Sequence, residues 1–179
     1  DITKPSDNTL NLTFQHILTR INFAAKLADS NYTYTVESIT ITGAKGGAAT
    51  YTFGGTEGKG GNWNITGSAP ASGYSYTFDN TVTAKDDIYD YTQNNNSLML
   101  YPQSLTDAKI TVKYKTEKDN ATFFNGSKEV ALTGEWTNGQ SIRYILTLPV
   151  GAEKMSVNTT YDENWDATDN EQTPKNPAS

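Results

Sequence analysis

Apolar residues recur at every second position along most of this chain, in short runs separated by polar and glycine-rich stretches. Leu10, Leu12 and Phe14 alternate with polar residues, the period of a half-buried strand. After Phe14 the phase changes, and Ile17, Ile21, Phe23, Ala25 and Leu27 fall on odd positions. A one-residue slip turns every side chain to the other face of a sheet. The pattern therefore predicts a bulge or bend near Gln15-His16, with a short helical turn over His16–Arg20 as the alternative. Tyr32–Gly43 predicts a second strand region with Val36, Ile39 and Ile41 as its apolar positions, and Gly43–Gly47 a turn. Tyr51 and Phe53 read as a short strand, Gly54–Gly61 as a glycine-rich loop, and Trp63 and Ile65 follow.

Tyr74, Tyr76 and Phe78 alternate cleanly, and Val82 continues into a predicted hairpin partner. Asp86–Asn96 is polar and acidic and predicts a long loop. Leu98-Met99-Leu100-Tyr101 is an apolar run stopped by Pro102, and Ile110, Val112 and Tyr114 give another strand. Phe123 and Phe124, an Asn125-Gly126 turn, then Val130 and Leu132 predict a hairpin. Ile142, Tyr144, Leu146 and Leu148 form the clearest strand, ended by Pro149, and Met155, Val157, Thr159 and Tyr161 the last one. Roughly nine to eleven strands at spacings near ten residues, with no helical periodicity long enough for a crossover, predict an all-β, antiparallel sandwich with long loops. The domain plan is a flexible leader over 1–9, one β-sandwich over 10–165 and a polar tail over 166–179.

Composition agrees with this plan. The 179 residues suffice for one domain with a core of its own. Hydrophobic residues are 35% and charged residues 19%, both low for a globular protein, and Tyr reaches 11. Thr and Tyr suit pleated surfaces, and Gly and Asn suit turns. The net charge is −6, the 14 basic residues are scattered, and only Arg20 and Arg143 are arginines, which argues against nucleic acid as a partner. There is no Cys, so disulfides, thiolate metal sites and a Cys nucleophile are excluded. No run of about 18 apolar residues is present for a membrane-spanning helix. The start at Asp1, without Met or a signal peptide, reads as a mature fragment or trimmed chain, and a lipid anchor would lie upstream of it.

Residues that could carry chemistry are few. His16 is the only His, so a Ser-His-Asp system must use it or not exist, and it sits on an apolar, strand-like stretch that suits a packed structural role. Asp86, Asp87 and Asp90 form one acidic group, and Asp162, Glu163, Asp166 and Asp169 another. Neither has EF-hand spacing, and solvated loops account for both. Gly58-Lys59 fails as a phosphate loop, because Phe53 stands where the first Gly belongs and Gly60 replaces the Ser or Thr. Trp63, Trp136 and Trp165 are candidates for sugar stacking, against the alternative of core packing. Several Asn-x-Ser/Thr tripeptides, among them those at Asn11, Asn31, Asn64, Asn120, Asn125 and Asn158, are what a chain rich in Asn and Thr produces by chance. The sequence predicts no enzyme, no cofactor and no metal site.

Leu12-Thr13-Phe14-Gln15-His16-Ile17-Leu18-Thr19-Arg20-Ile21-Asn22-Phe23 resembles the signature of the fimbrillin-like family of pilus subunits: Phe-x-His, a small apolar pair, a basic residue, then Ile-x-Phe. Leu98–Gln103 resembles the family's apolar run ending in Pro-Gln, and Trp136–Leu148 resembles its final strand led in by Gly and an aromatic. Trp165 resembles a Trp near the family's C-terminus. Together these cover most of Leu10–Trp165. The resemblance implies a transthyretin-like, Greek-key β-sandwich, mainly the later domain of a two-domain subunit, in fimbriae on the surface of Gram-negative anaerobes. It implies an extracellular or outer-membrane location, a lipoprotein precursor, and other pilus subunits as partners through strand exchange. Here almost nothing precedes the His-bearing segment, where the family places a first domain. The segment Met155, Val157, Thr159 and Tyr161 is the candidate donor strand. The alternative is a surface adhesin domain that binds glycans or host proteins and does not polymerise.

Overall fold

Alternation decides which way each strand faces. In β1, Thr19–Leu27, the odd residues Ile21, Phe23, Ala25 and Leu27 are buried, while Arg20 and Asn22 are half-buried and Lys26 is exposed. In β10, Ser141–Leu148, the even residues Ile142, Tyr144, Leu146 and Leu148 are buried. The two strands lie side by side with the inward rows in register, so Ile21 sits beside Ile142, Phe23 beside Tyr144, Ala25 beside Leu146 and Leu27 beside Leu148. The Phe23 and Tyr144 rings stack with centroids 6.3 Å apart. Each of the larger of these side chains contributes about 1.5–3 kcal/mol by leaving water.

The computed structural model describes residues 15–54, 60–84, 88–92 and 96–161, the last six of β5 as backbone only. The remaining strands are β2 Thr33–Thr42, β3 Ala49–Thr52, β4 Asn62–Ile65, β5 Tyr74–Ala84, β6 Tyr89–Asp90, β7 Leu98–Leu100, β8 Lys109–Lys118, β9 Ala121–Ala131 and β11 Ser156–Tyr161. No helix occurs among the described residues. One sheet runs β11-β10-β1, with both β6 and β7 on the far side of β1, and the other runs β5-β2-β8-β9. Their inner faces share one core, in which Phe23 meets Tyr76 edge-on at 6.1 Å and Tyr34 Oη donates to the Ala25 carbonyl at 2.8 Å. The small β3-β4 sheet stands apart from both. The all-β, antiparallel expectation holds for every described pair but one: β1 and β10 are parallel, which no alternation pattern encodes.

Other differences have local causes. The strand over Leu10–Phe14 lies outside the described residues. The chain straightens into β1 at Thr19, with no helical turn over His16–Arg20. In β2 the inward residues step from Val36 to Ile39, because Glu37 is an extra residue against β8; on the other side four residues of β5, 78–81, stand opposite it. Phe78 and Val82 belong to one continuous strand, not two arms of a hairpin. Asn125-Gly126 is likewise mid-strand in β9. The β8-β9 turn falls at Asp119-Asn120, with φ of 49° and 63°, the left-handed pair that a two-residue hairpin loop requires. The Phe124 ring covers the bare Gly126 backbone. The predicted long loop over Asp86–Asn96 contains β6 and the buried Tyr91 and Thr92.

Buried polar groups are mostly matched. Tyr114 Oη donates to the Pro149 carbonyl at 2.7 Å, Thr116 Oγ1 to the Val150 carbonyl at 2.7 Å, and Trp136 Nε1 to Tyr144 Oη at 2.8 Å. Burial disfavours the phenolate and pushes Tyr34 and Tyr144 up to about 12.

Candidate functional site

A protein that joins others through strands does so at sheet edges, where backbone N–H and C=O groups lack partners. The five-stranded sheet has two unlike edges. On one side, β11 pairs antiparallel with β10 from Ile142–Tyr161 to Thr147–Ser156, an unbroken ladder. Met155, just before it, is buried in the core. Val157 and Thr159 are half-buried, whereas Tyr161 is 59% exposed. All four candidate donor residues thus lie on or beside a single edge strand, held within its own chain by one neighbour.

On the other side, β6 and β7 are two pieces of one interrupted strand. Tyr89-Asp90 face Ala25-Ala24, and Leu98–Leu100 face Ile21–Thr19. Between them β1 spends two residues, Asn22 and Phe23, where the opposite chain spends seven, 91–97. Side chains fasten this excursion. The Phe23 amide donates to Thr92 Oγ1 at 2.9 Å, and the Tyr91 amide donates back to the Phe23 carbonyl at 2.9 Å. Asp90 Oδ1 accepts from the Thr92 amide at 3.1 Å, and Asp90 Oδ2 lies 3.0 Å from Arg143 Nη2. Ser97 Oγ donates to Asn22 Oδ1 at 2.5 Å and accepts from Arg20 Nε at 3.0 Å. The conspicuous sequence signals Arg20, Asn22 and Arg143 therefore serve the interruption.

The β3-β4 hairpin caps the end of the sandwich where β1 begins. Its inner side carries Tyr51 and Trp63, paired in register, and its outer side Thr50, Thr52, Asn62 and Asn64, all exposed. Phe53, Tyr51, Trp63 and Tyr101 form a chain of ring contacts with centroid steps of 5.1, 5.0 and 4.7 Å. Trp63 Nε1 donates to the Ile17 carbonyl at 2.6 Å, and Asn138 Nδ2 donates to the Gly61 carbonyl at 2.6 Å. At the hairpin's base, Gln103 accepts from the Lys45 amide at 2.7 Å and donates to the Lys45 carbonyl at 3.1 Å. The Pro-Gln element of the sequence thus anchors the cap. Gly43 opens this base with φ of 80°, and a Cβ there would collide with the Asp107 carbonyl.

The three tryptophans separate. Trp136 is 2% exposed and bonded to Tyr144, so it belongs to the core and offers no stacking face; that expectation is corrected by its burial. Trp63 is half-buried in the cap, with Tyr51 and Tyr101 against it. Trp165 lies outside the described residues, as do Asp86, Asp87 and the acidic group from Asp162. His16 is half-buried at the entry to β1. Among the described residues no three His, Cys, Asp or Glu side chains group as a metal site, and no helix is long and apolar enough to cross a membrane. Sequence reasoning missed the exposure of Phe53, 74% just beyond β3, and a groove lined by Ala28, Tyr32, Pro149 and Val150.

Comparison with solved structures returns a fimbrial protein from Bacteroides vulgatus, at 16% identity and a TM-score of 0.56, over 83% of this chain and 55% of that one. This chain thus spans about half the length of that relative, and the likeness is one of fold. A cell adhesion candidate from Bacteroides ovatus aligns at 12% identity and a TM-score of 0.34, over 80% of this chain and 44% of that one. Comparison with curated protein sequences gives no match. The fimbrillin-like family model matches residues 2–165, nearly the whole of the chain, and the protein belongs to the fimbrillin-like family.

Proposed function

We propose that this chain is a non-catalytic subunit of a cell-surface fimbria that joins its neighbours by β-strand exchange, with β11 as the strand exchanged. The single observation that supports this reading most is the family match over residues 2–165. The edge position of β11 adds to it, because a strand with one paired side and a half-buried Val157 is the kind that a neighbour's sheet can accept. Repeated head to tail, such a contact yields an open filament. In this reading residues 10–165 act as one domain between a leader over 1–9 and a polar tail over 166–179. The location is the outer membrane surface, reached as a lipoprotein precursor, and the partners are other pilus subunits.

The test is an unboiled denaturing gel of surface extracts from the producing organism, probed with antibody to this chain. A ladder that collapses on boiling is expected. Deleting 156–179, which spares the buried Met155, is expected to abolish the ladder and leave a cooperative melting transition. A ladder that survives the deletion rules out β11 as donor, and a single band from the intact protein rules out the polymer. The adhesin reading, with glycans or host proteins as ligands, rests on Trp63 in the surface cap. A glycan screen in which Trp63→Ala changes no signal removes that support.

A further inference from the structure

At the end of the sandwich where β1 and β10 finish, a groove of about 550 Å3 opens between the β1-β2 connection and the β10-β11 turn. Its lining mixes two kinds of surface. Ala28, Tyr32 and Pro149 are apolar or aromatic, while Asp29, Glu153 and Lys154 are charged. These groups are held in place by the protein around them. The Tyr32 ring meets Phe123 edge-on at 5.0 Å, and Lys118 Nζ lies over it, 5.3 Å from the centroid. Asp29 Oδ1 accepts from the Asn31 amide at 2.9 Å and from the Asn31 side chain at 2.7 Å, and Glu153 Oε2 accepts from the Gly151 amide at 3.2 Å. The other oxygens, Asp29 Oδ2 and Glu153 Oε1, take no hydrogen bond among the described residues. A second hollow of about 320 Å3 has Asn31 in its wall and is lined only by polar residues, Thr33, Glu117 and Asn120 among them.

We infer that this groove binds an uncharged sugar unit of a glycan, stacked on Tyr32 and hydrogen-bonded through its hydroxyls to Asp29 and Glu153. The inference depends on neither strand exchange nor Trp63, and it puts ligand recognition at the end of the sandwich away from the β3-β4 cap. Three observations select this ligand. The first is the pairing of surfaces. A sugar ring has an apolar C–H face and a rim of hydroxyls. An aromatic ring, negative on its face, suits the one. Ionised carboxylates, which only accept and do so strongly, suit the other. A wholly apolar ligand would instead bury the two carboxylates without partners. The second is charge. Asp29 and Glu153 are offset by Lys154 in the groove and by Lys118, whose charge acts on Asp29. The balance favours neither an anionic nor a cationic ligand. The third is shape. The volume lies in the range of small-molecule sites, and the polar second hollow offers amides, hydroxyls and carboxylates to a neighbouring sugar. Groups already fixed in place lose little conformational freedom on binding.

The test places the purified full-length chain on a printed array of neutral oligosaccharides of hexoses and N-acetylhexosamines, beside sialylated and sulfated ones. Binding to at least one neutral glycan is expected. Calorimetric titration with that glycan is expected to give a Kd that changes less than about twofold between about 0.05 and about 0.5 M NaCl, because no ion pair forms. Ala28 is exposed at the groove, so Ala28→Trp fills the space; it is expected to abolish binding and leave the melting temperature unchanged. Glu153→Gln keeps an acceptor for the Gly151 amide but loses the charge, and is expected to weaken binding about tenfold. Trp63→Ala is expected to bind as the unmodified chain does. An array with no signal from any neutral glycan overturns the inference. So does binding that Ala28→Trp leaves unchanged or that Trp63→Ala removes, and so does binding confined to the charged glycans. Each result is read on the isolated chain, so none of them bears on the multimer ladder that tests the fimbrial reading.

Discussion

The two edges of the five-stranded sheet differ in how they treat unpaired backbone. At β11 the ladder is regular, short and lightly buried. At β6-β7 the chain inserts a seven-residue excursion opposite two residues of β1 and locks it with Thr92, Asp90, Ser97, Arg20 and Arg143. An interrupted edge cannot template a long neighbouring strand. The comparison teaches that one edge is built to stay closed to partners, at a cost in side-chain hydrogen bonds, whereas the other depends on little besides its ladder.

Raising the pH should break both edges at once. Tyr34, Tyr91, Tyr114 and Tyr144 lie in the core beneath them, and burial raises all four above the usual phenol value. A group whose folded value is raised contributes stability in full below its unfolded value of 10.0, and loses it as pH climbs toward the folded value of about 12 for Tyr34 and Tyr144. Circular dichroism and phenolate absorbance should therefore change together between pH 10 and 12; phenolate signal from all tyrosines without loss of structure would contradict the burial. Leu100→Ala, in β7, should cost about 2–4 kcal/mol in denaturant unfolding, because its side chain is in the core. Thr92→Val keeps the shape but strips the acceptor from the buried Phe23 amide, for about 1–3 kcal/mol. Asp90→Ala, which loses a turn acceptor and a partly exposed ion pair, should cost about 1 kcal/mol, reduced by salt. Val157→Ala on β11 should cost about 1 kcal/mol or less, since that side chain is only half-buried. If Val157→Ala proves as damaging as Leu100→Ala, the contrast between the edges fails.

Most of the strands were legible because alternation is a local signal. The odd residues of β1 and the even residues of β10 point inward as their spacing says. The three-residue step from Val36 to Ile39 carried the Glu37 bulge in plain view. What was not legible was decided by partners distant in sequence. Asn125-Gly126 is a strong local turn signal, but β8 keeps its inward alternation through Thr116, so the reversal waits until Asp119-Asn120. Val82 continues its own strand because β5, after an irregular step opposite Glu37, regains its pairing with β2 at Val82 and Val36. Of the candidate site residues, Trp136 was uninformative as a letter; only the Tyr144 hydroxyl beneath it shows why an indole belongs inside. Phe53 looked like the last residue of a strand, but pairing stops at Thr52 and leaves its ring exposed.

The parallel β1-β10 pair also has a consequence in time. Thr19 bonds to the Thr137 carbonyl across 118 residues of chain, and the central ladder of the sheet spans a similar separation. Contacts this remote must await most of the loop-closure entropy, so folding should be slow and should finish late. Nascent chain that has not yet delivered β10 leaves one edge of β1 without its neighbour. The five-stranded sheet can therefore close only after β10 has been made, whatever the order in which the earlier strands pair.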